Sequence, residues 1–409
     1  MNILIISHDI PSPTFSDTLP VYHFIKHLFI EHQCNIKVLS FASSKVSVND
    51  IDNLNKYCSI EKPIPYKDRS FFSNILFTIK NNLLNLISNL KMGILFNILD
   101  CYYSLEMKHR IYDILQMNEF DLIFSTRQMA SYISDVPIPK VVQPFDAVHE
   151  WHAQLCRSAK GISKCIHYIL YVFTKSYERK LLNRFDACLM VTENDKMLLK
   201  KINADINCYV IPNGVNISYF MPIEADEKIF PSIAYVSDMS GRHAIENIRN
   251  FYAHIFPLIK SAIPDIKLYL IGRNPAMEIL KLSSDNSVVV TGYVDDIRLY
   301  LSRMTVFIAP MIIGTGIKNK VLEAMAMAKP IVTTSIGVQG IDVITGRDLI
   351  VANTINEFAD SVIMLLNDEE QRKSLGLNAR KLIEEKYSWN AITNELYSLF
   401  NDIINKLPK

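Results

Sequence analysis

This sequence has few cysteines, no excess of charge of either sign and few glycines in its first half. The seven cysteines are an odd number and include no C-x-x-C pair, so they indicate neither a disulfide framework nor a zinc knuckle. The 43 basic residues nearly cancel the 42 acidic residues, which removes any electrostatic reason to expect nucleic acid as a partner. Small or neutral ligands fit this composition better.

Long uncharged apolar runs are also missing from the sequence. No window offers about 20 consecutive apolar residues, so a transmembrane helix is not expected. The opening segment MNILIISHDIP lacks a basic region and a small-residue cleavage site, and it predicts a buried strand rather than a signal peptide. We therefore expect a cytoplasmic protein, with peripheral contact at the inner face of the membrane as a second interpretation.

Short apolar runs alternate with helical patterns along the whole chain. A chain of 409 residues exceeds what one hydrophobic core usually supports, so two domains are expected. The alternation predicts parallel sheets covered by helices, and therefore two doubly wound α/β domains. The apolar runs cover residues 2–7, 36–41, 121–125, 140–145, 187–191 and 208–212, then 232–237, 267–272, 288–293, 305–310, 331–334 and 348–352.

A polar break that begins at IPNGV, residues 211–215, separates the two series of apolar runs. We predict an N-terminal domain over residues 1–215, a C-terminal domain over 216–388 and a final helix over 389–409. Ten of the twelve glycines lie at or beyond residue 214. Because glycine lets the backbone approach a ligand closely, the C-terminal domain is predicted to bind phosphate.

The turn after the predicted strand 305–310 is the strongest candidate for that phosphate site. Ligands of open parallel sheets bind outside the carboxyl ends of the strands. Free amides at the start of the next helix, with Lys318 and Lys320, favour an anion such as a diphosphate. Glu323 lies in an apolar segment and needs hydrogen-bond donors, which either vicinal hydroxyls of a ribose or Lys320 at i, i+3 would supply. The turn itself consists of Gly314, Thr315, Gly316 and Ile317.

The segment GIKNKVLEAMAMAKPIV resembles the donor-site signature of the GT-B glycosyltransferases of family 4, the glycosyl transferases group 1, and in particular the sugar transferases of exosortase-linked exopolysaccharide systems. The resemblance covers nearly the whole chain, more weakly before residue 120. It implies two Rossmann-like domains that face a central cleft, an acceptor domain followed by a nucleotide-sugar donor domain, and a last helix that crosses back to the first domain. Further segments that resemble the family, in the same order, are FDACLMVTENDKMLL, VIPNGVNISYFMP, IGRNP, VTGYVDDIRLYL, VFIAPM and YSW.

The resemblance also implies roles for individual residues. Glu323 would bind the nucleotide ribose, and Lys320 with the 314–317 turn would hold the diphosphate. The donor would be a nucleotide-diphosphate sugar and the acceptor a saccharide or a lipid-linked molecule, with retention of configuration, in cell-surface polysaccharide synthesis. Cations and helix amides can stabilise the leaving diphosphate, so neither a metal nor a further cofactor is expected. The resemblance places a basic phosphate ligand at Arg242 and the base contacts at Tyr293 and Val294.

Three departures from the family pattern leave other functions open. Thr315 stands where many members carry a glutamate, Ser237 stands where the loop normally opens with glycine, and the first loop of the N-terminal domain has no glycine. A sugar-nucleotide binding or scaffold protein without turnover is therefore the second interpretation. A nucleotide-sugar enzyme of another kind, such as an epimerase, is the third.

Candidate catalytic residues of the N-terminal domain follow predicted strands. His8 follows the first strand, and Asp146 and His149 follow the fourth; each could instead cap a loop or a helix. Asp146 is the preferred candidate, because it matches an aspartate in the family it resembles.

Two other patterns have a structural and a functional interpretation. The D-x-D at Asp50 and Asp52 is read as a helix start rather than a metal site. An apolar stripe at helical spacing over residues 72–98 predicts a core-facing helix, with a membrane-surface or lipid-acceptor contact as the alternative.

Overall fold

The computed structural model describes residues 1–65 and 104–406, apart from positions 16, 44, 45, 159, 225, 226, 228 and 315. The chain divides into two units. The first unit comprises Met1–Ile211 and Thr393–Lys409, and the second comprises Pro212–Ile392. The predicted stripe over residues 72–98 lies outside the described residues.

Parallel strands form one sheet in the described part of the first unit. Its strands are Asn2–Ser7 (β1), Asn35–Ala42 (β2), Ser59–Ile60 (β3), Ile64–Pro65 (β4), Leu122–Thr126 (β5), Lys140–Phe145 (β6), Ala187–Met190 (β7) and Cys208–Val210 (β8). They are ordered β3-β2-β1-β5-β6-β7-β8, and β4 pairs with β2. Strands β2 to β4 therefore extend the sheet on one side of β1, and strands β5 to β8 extend it on the other side. The topological switch point lies between β1 and β5.

Helices of the first unit connect these strands. They are Leu19–His32 (α1), Val48–Leu54 (α2), Leu105–Met117 (α3), Ala130–Ile133 (α4), Val148–Ser158 (α5), Gly161–Leu181 (α6) and Glu193–Ile202 (α7). Residues 3–7 of β1 are buried throughout, as expected for a central parallel strand that is covered on both faces. Phe24 of α1 packs edge-on against Phe124 of β5, with ring centroids 6.2 Å apart.

The second unit contains a second parallel sheet. Its strands are Ile229–Val236 (β9), Lys267–Ile271 (β10), Val288–Gly292 (β11), Met304–Ala309 (β12), Ile331–Thr333 (β13) and Ile350–Val351 (β14). They are ordered β11-β10-β9-β12-β13-β14. The switch point of this sheet lies between β9 and β12, which pair in parallel through Val306 and Ile233.

Helices cover this sheet and end the chain. They are Arg242–Asn250 (α8), Phe256–Ala262 (α9), Met277–Leu280 (α10), Ile297–Arg303 (α11), Asn319–Ala326 (α12), Ile355–Asn367 (α13), Glu369–Leu382 (α14) and Trp389–Asn405 (α15). The last helix contributes to the core of the first unit, where Phe400 lies 6.3 Å from Phe124 between ring centroids. Tyr397 of the same helix stacks on the imidazole of His32, with ring centroids 3.8 Å apart.

The predicted fold class, two doubly wound parallel α/β domains, is confirmed. Each of the twelve predicted strands is present, with ends that shift by up to three residues. The two-residue strands β3 and β4 were not predicted. None of the helices in the described ranges is long and apolar enough to cross a membrane.

Candidate functional site

The switch point of the second sheet brings two helix starts to the same edge. Residues 237–241 lead from β9 to α8, and residues 310–318 lead from β12 to α12. Because β9 and β12 are parallel neighbours, both connections leave from the carboxyl end of the sheet. A switch point of this kind is where open α/β sheets bind their ligands.

The connection from β12 to α12 contains the predicted Gly-Thr-Gly turn. Gly316 has φ 66°, a left-handed conformation that favours glycine. A Cβ atom on Gly314 would lie 3.0 Å from Cε of Lys318, and the Lys318 ammonium donates to the carbonyl oxygen of Gly316 at 2.8 Å. Lys318 therefore folds over the turn at the N-cap of α12, which has no side-chain cap hydrogen bond. Thr315 lies outside the described residues.

Asn247 of α8 holds the segment that precedes this turn. Its Oδ1 atom accepts hydrogen bonds from the backbone N–H groups of Ile312 and Ile313, at 2.9 and 3.3 Å. Its Nδ2 atom donates to the carbonyl oxygen of Ile313 at 3.3 Å and contacts Sδ of Met311 at 3.1 Å. Asn247 is only 2% exposed, so both sides of the switch point are joined by a buried amide. Sequence reasoning did not identify this residue.

Threonine side chains hold the same segment from β13. Thr334 Oγ1 donates to the carbonyl oxygen of Met311 at 2.6 Å, and Thr333 Oγ1 donates to that of Ala309 at 3.0 Å. Gly337 makes room for this contact, since a Cβ atom there would lie 2.0 Å from Thr333 Oγ1. The backbone before the glycine turn is thus fixed on two sides.

Lys320 and Glu323 form an ion pair in the first two turns of α12. The Lys320 ammonium lies 2.8 Å from each carboxylate oxygen of Glu323. Burial raises the pKa of Glu323, and the neighbouring Lys320 opposes that rise. The donor that Glu323 was predicted to need is therefore present within the helix. A carboxylate has about four acceptor sites, so this pairing leaves acceptor capacity for two ligand hydroxyls.

Arg242 begins α8 on the other side of the switch point. Its side chain is 86% exposed and its Nε atom lies 2.7 Å from Oε1 of Glu246. Asp238 lies in the loop before it, and hydrogen bonds from Ser240, then from Arg273 and Asn274, lower its pKa to about 2. The Asp238–Arg273 pair, 2.8 Å between Oδ2 and Nε, places a further guanidinium at this edge. Arg273 lies in the family-like segment IGRNP, but the sequence analysis did not single it out.

The ends of β10 and β11 complete this edge. A Cβ atom on Gly272, whose φ is 142°, would lie 1.9 Å from the carbonyl oxygen of Ser237. Only glycine therefore allows the loop after β10 to touch the loop after β9. The next strand ends at Gly292, and the predicted base-contacting residues follow it. Tyr293 is 72% exposed, whereas Val294 is half-buried against the core.

The switch point of the first sheet carries His8. Its Nδ1 atom and its backbone N–H lie 3.3 and 3.2 Å from Oγ1 of Thr126, at the end of β5. Burial lowers the pKa of His8, Asp9 and Asp17 oppose that effect, and Arg127 adds to it. The imidazole is therefore neutral near pH 7, as a proton acceptor must be.

Asp146 and His149 follow β6 as predicted, but their settings differ. Phe145 has φ 69°, a strained backbone for a non-glycine residue, and it presents Asp146 at the surface. His149 is buried, with Nδ1 2.6 Å from Oε2 of Glu178. Glu178 of α6 also accepts the backbone N–H groups of Val148 and His149, at 3.1 and 3.4 Å. His149 thus joins the start of α5 to α6, and its predicted catalytic role stays a prediction.

The D-x-D aspartate is a helix cap. Asp50 is the N3 residue of α2 in a capping box with Ser47, as the helix-start interpretation predicted. Its Oδ1 atom also accepts from Ser12 Oγ at 2.5 Å. Burial acts to raise the pKa of Asp50, but the hydrogen bonds from Ser12 and Ser47 outweigh it and the pKa is lowered. Within residues 1–65 and 104–406, no group of three or more His, Cys, Asp or Glu side chains is placed to hold a metal ion.

Comparisons with known proteins agree with this architecture. Residues 230–368 match the model of the family Glycosyl transferases group 1. The chain is 28% identical over 159 residues to the capsular polysaccharide biosynthesis glycosyltransferase CapM of Staphylococcus aureus, which covers 37% of this chain and 42% of CapM. It is 23% identical over 398 residues to the poly(ribitol-phosphate) alpha-N-acetylglucosaminyltransferase of the same species, covering 91% of this chain and 73% of that protein.

A solved structure shows the same fold. HepE of Anabaena in complex with UDP and glucose superimposes with a TM-score of 0.63 at 14% identity, over 98% of this chain and 100% of HepE. The chain spans between 42 and 64% of the length of three of its curated relatives. The protein thus has the GT-B fold. Its residues 230–368 are similar to the group 1 glycosyltransferase family. The narrower resemblance to family 4 and to exosortase-linked transferases stays a prediction.

Proposed function

We propose that this protein is a glycosyltransferase that moves a sugar from a nucleotide-diphosphate donor to a saccharide or lipid-linked acceptor. The observation that carries the proposal is the start of α12, where the glycine turn, Lys318, Lys320 and Glu323 meet at the switch point of the second sheet. The named glycosyltransferase activities of two relatives support the reaction class. HepE, which was solved with UDP and glucose, supports a nucleotide sugar as the donor.

The donor would bind with its diphosphate at the two helix starts. Amides at the N-terminus of α12 and the Lys318 and Lys320 ammonium groups would hold the phosphate oxygens, and Arg242 would approach from α8. Glu323 would accept hydrogen bonds from the ribose hydroxyls. Tyr293 and Val294, at the end of β11, would contact the base.

The transfer would break the bond between the sugar C1 and the diphosphate oxygen, and the electron pair of that bond leaves with the diphosphate. An acceptor hydroxyl oxygen forms the new bond to C1. With retention of configuration, the acceptor proton passes to the departing diphosphate, so a protein base is not required. Cations fixed before the reaction stabilise the charge that grows on the leaving group.

His8 and Asp146 are the side chains of the first unit that we assign to acceptor and sugar contacts. His8 lies at the switch point of its own sheet and has a lowered pKa. Asp146 is exposed at the surface and directly follows Phe145, whose backbone is strained. His149 is assigned to packing, because its Nδ1 atom is paired with the buried Glu178. We place the enzyme in the cytoplasm, in cell-surface polysaccharide synthesis.

A thermal-shift screen with UDP, GDP and ADP tests the donor site. A nucleotide at 100 times its dissociation constant adds roughly 2.7 kcal/mol of stability, which shows as a higher melting temperature. Glu323→Gln should lose this shift, whereas Glu370→Gln, at an exposed position of α14, should keep it. No shift with any nucleotide would overturn the assignment of the site.

Turnover is tested separately with UDP-, GDP- and ADP-sugars and extracts of acceptors. Release of the nucleoside diphosphate that depends on an acceptor supports the transferase. Tight nucleotide binding without release under any condition would favour the sugar-nucleotide binding or scaffold protein. An isomerised donor in a reaction without acceptor would identify an epimerase instead.

A further inference from the structure

Helix α6 presents an apolar face to solvent. Thr174, Tyr177 and Leu181, in its C-terminal half, are buried. No charged side chain interrupts the exposed face over two turns. The residues that form this exposed face, called the α6 face below, are Ile166 (45% exposed), Tyr168 (59%), Ile169 (53%) and Val172 (46%).

A tryptophan of the neighbouring helix extends this surface. Trp151 of α5 is 55% exposed, and its ring lies 4.9 Å from that of His152. The His152 ring in turn lies 6.1 Å from His167 of α6. The exposed Trp151 is therefore carried by a helix that packs against α6. Adjacent exposed apolar residues of this kind mark an interaction site, whereas isolated ones do not.

Basic residues flank the α6 face. Residues 157–180 contain six basic residues and one acidic residue, Glu178, and that carboxylate is 1% exposed and turned to His149. Arg157 pairs with Glu150 of α5, 3.0 Å between Nη1 and Oε1, so the positive charge beside the α6 face comes from the other five. The chain as a whole has a net charge of +1, so this positive charge is local. The six basic residues are Arg157, Lys160, Lys164, Lys175, Arg179 and Lys180.

We propose that the α6 face docks the protein on an anionic lipid surface. Its aliphatic side chains would enter the boundary between head groups and acyl chains, as an in-plane amphipathic helix does. Trp151 and Tyr168 would lie at the head-group level, and the flanking cations would contact lipid phosphates. The charges at both ends keep the helix in the plane of the surface.

Charge complementarity favours an anionic lipid surface over a second copy of the chain as the partner of the α6 face. Two copies that paired through the α6 face would bring the flanking cations of both together, and like charges across an interface are unfavourable. An anionic surface instead neutralises them. The proposal does not depend on the proposed transfer reaction, because vesicle binding is measured without any sugar donor.

Flotation with vesicles tests the proposal. The full chain should bind vesicles of phosphatidylcholine with about 30% phosphatidylserine and should bind pure phosphatidylcholine at least tenfold more weakly, with a loss of binding as salt rises. Ile169→Asp should lower the partition at least tenfold. Leu377→Asp, which alters an apolar residue of α14 that is 67% exposed, is the matched control and should not change it. Equal binding of Ile169→Asp and wild type would overturn the proposal.

Cys165 and Trp151 report on the same surface directly. Cys165 is a free, exposed thiol beside the α6 face, so a maleimide should label it in solution and anionic vesicles should protect it. Trp151 fluorescence should shift to shorter wavelength on binding. The emission of Trp389 should not shift, because its side chain is only 3% exposed. A Cys165 thiol that resists the label without vesicles would mean that another part of this chain covers the face. A dimer in light scattering that Ile169→Asp dissociates would mean that a second copy does. Either result would contradict the lipid proposal.

Discussion

Asn247 and Ile312 are 65 residues apart in the sequence and are joined by a hydrogen bond of 2.9 Å between the Asn247 side-chain oxygen and the Ile312 backbone N–H. The bond connects α8, which follows β9, to the segment that follows β12. A buried amide that is fully paired holds its partners in one arrangement, because an unpaired alternative costs desolvation energy. The two sides of the switch point therefore keep a fixed separation.

Replacing this amide tests whether the separation matters for the ligand. Asn247→Ala leaves the N–H groups of Ile312 and Ile313 unpaired, which we expect to cost about 1–3 kcal/mol of stability in the second unit. Nucleotide affinity should fall about tenfold, or roughly 1.4 kcal/mol, as measured by calorimetry with UDP, GDP or ADP. Asn286→Ala, at an exposed position, is the control. Unchanged affinity in a folded Asn247→Ala protein would show that the glycine turn does not need this anchor.

The fold was predictable because its information is local in sequence. Each long strand of both sheets is an apolar run between turn residues, and a parallel strand buried on both faces requires such a run. β3 and β4 have two residues each, so they contain no periodicity to detect. They are strands only because β2 already provides an edge to pair with.

The candidate site was predictable in part for the same reason. The glycine turn, Lys318, Lys320 and Glu323 are consecutive along one strand-to-helix connection, so spacing alone places them together. Asn247, Glu178 and the Asp238–Arg273 pair depend on partners that are distant in sequence. Glu178 lies between a tyrosine and two basic residues and reads as part of a solvated helix. Only the packing of α6 against α5 buries it.

Lys320 is predicted to control the protonation of Glu323. Burial raises the pKa of this carboxyl and Lys320 opposes the rise, so Lys320→Met should raise the pKa further. A protonated carboxyl loses one acceptor oxygen. Because Lys320 is also a proposed ligand of the diphosphate, nucleotide binding should weaken by about 1–3 kcal/mol at pH 7. The fall in affinity on acidification should begin at a higher pH than in wild type.

Calorimetry across pH 5 to 8 measures this shift. Lys373→Met is the matched control, because Lys373 pairs with Glu369 at 2.9 Å on an exposed helix surface. The role given to Lys320 would be wrong if both variants showed the pH profile of the wild-type protein.

Glu178 is predicted to support stability rather than catalysis. Glu178→Gln removes the charge that pairs with His149 and one of the two oxygens that accept from the start of α5. Losing hydrogen bonds to a buried carboxylate costs about 1.5–3 kcal/mol, so the melting temperature should fall while the turnover of the folded protein persists. Asp146→Asn should do the reverse, with turnover lowered about tenfold or more through loss of a charged hydrogen bond and a smaller change in stability, since Asp146 is exposed.

Thermal unfolding and initial rates at low temperature separate these effects. Glu193→Gln is a control for charge loss, because Glu193 is 67% exposed and its pair with Lys196 lies on the surface. A Glu178→Gln protein with normal stability and no turnover would instead support a catalytic role for His149.

Buried histidines of α1 predict acid sensitivity of the first unit. Burial, with smaller effects of His27 and Lys26, lowers the pKa of His23 to about 3 from its ordinary value of 6.5. Between these values the unfolded chain binds a proton that the folded chain does not, so stability rises with pH. The stability that depends on a neutral His23 is complete above pH 6.5 and is lost as the pH falls toward the pKa of His23 in the folded chain.

Replacement of His23 by an uncharged side chain should flatten this dependence. At about 1.4 kcal/mol for each pKa unit, the full effect is about 5 kcal/mol, and part of it appears between pH 7.5 and 5. Urea unfolding at these two pH values should show a smaller difference in His23→Gln than in wild type. His109→Gln, at an exposed position of α3, should keep the wild-type difference. Since His27 and His152 also have pKa values lowered by burial, the slope should decrease in His23→Gln without reaching zero, and a slope equal to that of wild type would contradict the assignment to His23.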